Sequence, residues 1–85
     1  MQRTFDLIVF GATGFTGQLV AEYLQRRLST HPDLRWALAG RDAAKLAQVR
    51  DAIGADPRLP LLTADASDAA AMSELVRQAR VVITT

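Results

Sequence analysis

"VFGATGFTGQLVAEYL", residues 9–24, decides the fold. An apolar run enters this stretch, glycines stand three apart at Gly11, Gly14 and Gly17, and a helical period leaves it. Glycine costs backbone entropy at a strand end or a helix start, so a cluster of them requires a reason. Upstream, "LIVFG" (7–11) is a continuous apolar run too short for a helix. It fits a strand buried on both faces of a parallel sheet. Downstream, Gly17, Val20, Ala21, Leu24 and Leu28 fall on one helical face, with Gln18, Glu22, Gln25 and Arg26 opposite. The spacing predicts a helix from Phe15 to about Ser29.

The same alternation continues to Thr85. "STHPDLR" closes the first helix, since Pro32 cannot continue it. "RWALAG" (35–40) reads as strand two, and "RDAAKLAQVRDAIG" as helix two. Asp42 is its N-cap, Ala43, Leu46, Val49 or Arg50, and Ile53 form its buried stripe, and Gly54 suits the left-handed C-terminal position. "LLTAD" (61–65) is strand three. Ser67 or Asp68 caps helix three, whose apolar face is Met72, Leu75, Val76 and Ala79, and "RVVITT" (80–85) is strand four. The order β-α-β-α-β-α-β with short connections implies an α/β, Rossmann-type, doubly wound parallel sheet. The expected strand order is 3-2-1-4, half of a dinucleotide-binding fold. Strand four closes the sequence with one flank of the sheet bare. Residues 1–85 are therefore expected to be the N-terminal part of a dinucleotide-binding domain, with any substrate domain outside this chain. A packing partner is expected in a longer polypeptide or in another copy, and a complete small protein is the alternative.

Bulk properties bound the function. Ten basic and nine acidic residues give a net charge of +1, and Arg26-Arg27 is the one adjacent basic pair. That is no nucleic-acid footprint. Without cysteine there is no disulfide framework, thiolate zinc site or cysteine nucleophile, and no metal site is expected. Asp6 interrupts the first apolar run and no small-residue cleavage site follows, which argues against a signal peptide. No stretch approaches the ~20 apolar residues that span a bilayer. A cytoplasmic setting is the expectation.

The glycines have a use in such a fold. Between a strand and a helix, backbone N–H groups and the helix dipole form a site for a phosphate anion. Gly11 allows the tight exit from the strand. Gly14 removes a Cβ where a pyrophosphate approaches, and Gly17 lets helix and sheet pack closely. Phe15 lies within this loop, and Thr13 and Thr16 could add hydroxyl contacts or cap the helix. A turn serving packing alone is the alternative. No Lys-Ser or Lys-Thr follows Gly17, which excludes a Walker loop.

Strand two names the dinucleotide. NAD-binding versions end it on an acidic residue that holds the ribose 2′-hydroxyl. Here Gly40 and then Arg41 occupy that place. Arg41 can pair with a 2′-phosphate and stack on adenine, and Lys45 could add a second charge. Asp42 would repel phosphate unless its cap role turns it to the backbone. NADP is therefore favoured over NAD, with a solvated Arg41 as the alternative. Asp65 could accept a bond from the adenine amino group or cap helix three. Thr84 and Thr85 end strand four beside the expected pyrophosphate and nicotinamide ribose. Trp36 reads as strand packing and His31 as an exposed loop residue, and no general acid or base stands out.

"FDLIVFGATGFTGQLVAEYL", "WALAGRDAAKL", "LLTADASD" and "RVVITT" together resemble the N-terminal domain of the saccharopine dehydrogenase-like oxidoreductases, near the bacterial trans-acting enoyl reductases of lipid biosynthesis. The resemblance implies an NADP-type cofactor, hydride transfer, and a second domain that takes a small-molecule or acyl substrate. Saccharopine dehydrogenase itself acts on an amino acid, so the substrate does not follow from this domain. A non-catalytic NADP-sensing or scaffold module of the atypical short-chain dehydrogenase type stays open beside it.

Overall fold

The computed structural model describes residues 4–85. Its elements are β1 (Phe5–Phe10), α1 (Phe15–Leu28), β2 (Trp36–Gly40), α2 (Ala43–Ala52), β3 (Leu61–Thr63), α3 (Ala69–Arg77) and β4 (Ala79–Thr84). The four strands form one parallel sheet in the order β3-β2-β1-β4, as the alternation predicts.

β1 is central and apolar because it is covered twice. Val9 pairs in register with Leu38, and Ile8 with Ala37. Successive side chains leave a strand on opposite faces, so each pair feeds a different core. Val9, Leu38 and Trp36 pack with Ala21 of α1 and with Leu46 and Val49 of α2. Ile8, Ala37 and Ala39 pack with Leu75 of α3 on the other face. Trp36 is buried strand packing, and His31 is exposed between α1 and β2.

Several boundaries shift, each for a local reason. Asp42 caps α2 by accepting from the N–H groups of Ala44 (2.9 Å) and Lys45 (3.2 Å). The resulting phase buries Leu46 and Val49, leaves Ala43 exposed, and keeps Arg50 half-buried with Nη1 donating to the Leu59 carbonyl at 3.1 Å. Gly54 follows α2 with φ +75°, the left-handed conformation expected there. Strand three is shorter than 61–65, because Asp65 turns the chain by accepting from the Ser67 N–H. Asp68, rather than Ser67, caps α3. Ala79 lies in β4 and not on α3, so the helix ends at Arg77 and Val76 is 45% exposed.

Among the described residues β4 pairs with β1 alone and lies at the sheet edge. Val81 is 55% exposed there. No helix among the described residues is long and apolar enough to cross a membrane.

Candidate cofactor site

The sheet order places a switch point at β1: one crossover leads to β2 on one side, another returns to β4 on the other. In open α/β sheets a crevice forms at the carboxyl ends of the strands that flank such a point. Here it is a cleft of about 390 Å³. Gly11, Thr13, Gly14, Phe15, Thr16 and Gly17 line it from the loop and α1, and Arg41 from the end of β2. A larger cavity, about 750 Å³, opens at the opposite end of the sheet beside Phe5 and Trp36, and no residue of the glycine loop lines it.

The three glycines differ in what their surroundings require. Gly11 has φ +85°, a conformation that side-chain-bearing residues rarely adopt. A Cβ on Gly17 would overlap the Gly11 carbonyl oxygen and sit 2.9 Å from the Ala12 Cα. Both serve the fold itself. Gly14 does not: its φ is −76°, it is exposed, and a Cβ there would meet only the Gly11 oxygen at 3.6 Å. Gly14 lines the cleft, and a side chain there would meet little of the protein itself.

Gly14 is also the N-cap of α1, and no side chain caps that helix. Thr13 and Thr16 therefore do not take the capping role. The Thr13 carbonyl instead accepts from Gln18 Nε2 at 3.0 Å. The first helical N–H groups, on Phe15, Thr16 and Gly17, have no carbonyl four residues back within the helix. They open at the positive end of the helix dipole, where an anion is stabilised.

Electrostatics at the end of β2 follow from the capping of α2. Both bonds at Asp42 end on Oδ1, which ties that carboxylate to the backbone of its own helix. Arg41, exposed and lining the cleft, carries the neighbouring cationic head. Asp65 stands beyond the end of the adjacent strand. The Ser67 amide, then the Ser67 hydroxyl, hold its carboxyl below the ordinary value, and the Arg41 charge adds to the effect. The Asp65 carboxylate accepts both Ser67 groups at 2.9 Å, so it does not cap α3.

Three expected site residues stand apart from the cleft lining. Lys45 lines a separate groove with Thr13, Gln18 and Gln48. Asp65 is absent from the lining although its neighbour Ala66 is present, and Thr84 gives way to Thr85. Register explains the last: Thr84 pairs with Phe10, so the next residue comes level with Gly11. Phe10, Gly40 and Ala66 are lining residues that composition could not single out. An uncapped helix start, a Cβ-free approach at Gly14, one cation and a diverted carboxylate together fit a phosphate-bearing nucleotide.

The comparisons agree. Residues 7–85 match the family model of the saccharopine dehydrogenase NADP-binding domain. The chain is 45% identical over 84 residues to a provisionally named trans-acting enoyl reductase of Mycobacterium tuberculosis, covering 98% of this chain and 19% of that protein. It is 42% identical over 85 residues to the trans-acting enoyl reductase of Mycobacterium leprae and 41% identical to that of Mycobacterium ulcerans, in each case covering 99% of this chain and 20% of the relative. The chain thus spans about a fifth of the length of the relatives it matches. It belongs to the saccharopine dehydrogenase NADP-binding domain family, whose cofactor is NADP.

Proposed function

We propose that this chain is the N-terminal, cofactor-holding portion of an NADP-dependent oxidoreductase, and that the whole protein reduces an enoyl group in an acyl substrate. The observation that carries the cofactor half is Gly14, a residue whose missing Cβ nothing inside the fold requires. The names of the mycobacterial relatives support the enoyl half.

In this reading the N–H groups at the start of α1 receive the pyrophosphate, and Gly14 lets it approach the backbone. Arg41 would hold the adenosine 2′-phosphate, whose charge a guanidinium matches. Asp42 stays on its helix and leaves that place free of negative charge. Asp65 and Ala66 bound the adenine end. Thr85, with Thr84 beside it on the edge strand, bounds the nicotinamide end, and Lys45 adds positive potential from the neighbouring groove. NADPH, when bound, supplies a hydride at its nicotinamide ring. The role of residues 1–85 is to bind and orient, and a substrate domain elsewhere in the polypeptide holds the acyl chain.

The test is titration of the full-length polypeptide that carries residues 1–85 with NADPH, followed by an assay of NADPH consumption with enoyl thioesters. Tight binding with consumption is expected. Binding without consumption across a panel of enoyl thioesters would assign the chain to a non-catalytic NADP module, and absence of binding would remove both readings.

A further inference from the structure

Gly11 is the loop's pivot, and its carbonyl oxygen is a meeting point. It accepts the Gly14 N–H at 3.1 Å, closing the turn, and the Thr85 hydroxyl at 3.1 Å. The same hydroxyl lies 3.2 Å from the Phe10 carbonyl, and the Thr85 N–H donates to that oxygen at 3.3 Å. One hydroxyl proton serves two carbonyls, so it bridges the last residue of β1 and the first of the loop. The N–H contact is open to any residue but proline; the hydroxyl contact is Thr85's own. A Cβ on Gly11 would lie 2.6 Å from the Thr85 oxygen, so glycine's bareness at 11 is what admits the clasp.

A glycine with positive φ between a strand and an anion-binding turn is the position with the least intrinsic restraint. From these contacts we infer that Thr85 is a positioning residue: its hydroxyl fixes the Gly11 carbonyl, and through the Gly11–Gly14 turn fixes the N–H groups that receive the pyrophosphate. Thr85 lines the same cleft and acts there through the loop. This inference rests on the NADP reading above.

The test compares wild-type full chain with Thr85→Val, which keeps the shape and loses the hydroxyl, and Thr85→Ser, which keeps the hydroxyl. Two probes separate the roles: 2′-phospho-ADP-ribose carries the pyrophosphate, and adenosine 2′-monophosphate lacks it. Thr85→Val should weaken the first by about 3- to 10-fold, the range of one hydrogen bond, and leave the second within about two-fold. Thr85→Ser should restore the first. In the cofactor-free chain, amide exchange at residues 14–17 should quicken in Thr85→Val and return in Thr85→Ser. Equal weakening of both probes, or no weakening of either, overturns the clasp. If Thr85→Val does not fold, Thr85→Ala carries the same comparison. Wild-type chain that binds neither probe overturns the NADP reading, and the clasp with it.

Discussion

The Cα of Gly17 packs so closely on the Gly11 carbonyl group that a Cβ would lie 2.7 Å from its carbon and overlap its oxygen. The obstructing atoms are backbone, and the Gly14 N–H and Thr85 hydroxyl hold them in place. Gly17→Ala would gain about 1 kcal/mol of helix propensity. Forcing a methyl into packed backbone costs typically 1–3 kcal/mol and more where no side chain can yield. A net loss of about 2 kcal/mol is expected, read from the urea midpoint; an alanine variant as stable as wild type would contradict the contact.

Gly14→Val should behave in the opposite way. Its backbone suits any residue and its Cβ has space, so the folded state should lose no more than about 1 kcal/mol. NADPH affinity should fall by about 100-fold or more, since the branched side chain enters the room left for pyrophosphate. Circular dichroism and NADPH titration of the same sample check both halves. Unchanged affinity would remove the cradle.

Asp42→Ala tests the cap apart from the charge. Losing two bonds to the start of α2 should cost about 0.5–2 kcal/mol. The preference for NADPH over NADH should survive, because in the wild type that carboxylate is already turned to the helix. A variant that gains NADPH affinity many-fold would show that Asp42 faces the 2′ position instead.

Asp65 makes a pH-dependent contribution. Its folded-state pKa is lowered, chiefly by the Ser67 amide and hydroxyl, so its stabilisation is present above the unperturbed value of 3.8. It is lost as pH falls through the depressed folded value. Asp65→Asn should therefore melt below wild type at neutral pH, and the gap should close in acid. A gap that stays constant or widens in acid would contradict the assignment.

Most of the fold was legible because local signals agreed. The apolar run of β1, the glycine loop and the α1 period each pointed to a strand–loop–helix unit, and Asp42 and Gly54 marked both ends of α2. Features set by long-range register were not legible. Which of Thr84 and Thr85 meets the loop depends on the pairing of β4 with β1, across more than seventy residues of chain. Lys45 shares a helix with the Asp42 cap, yet its rotation carries it to the groove beside Gln18 and Gln48. Val76 matched the helical period of α3, but the helix turns Leu75 into the core and leaves Val76 exposed, while Ala79 reaches the same core from β4.

The most direct test of the central claim is the ratio of NADPH to NADH affinity in the full chain, before and after Arg41→Ala. A charge-assisted bond from Arg41 to the 2′-phosphate is worth on the order of 1.5–3 kcal/mol, so NADPH should bind roughly 10- to 100-fold more tightly. Arg41→Ala should erase most of that gap by weakening NADPH and leaving NADH nearly unchanged. Equal affinities in the wild type, or a preference for NADH, would contradict the account.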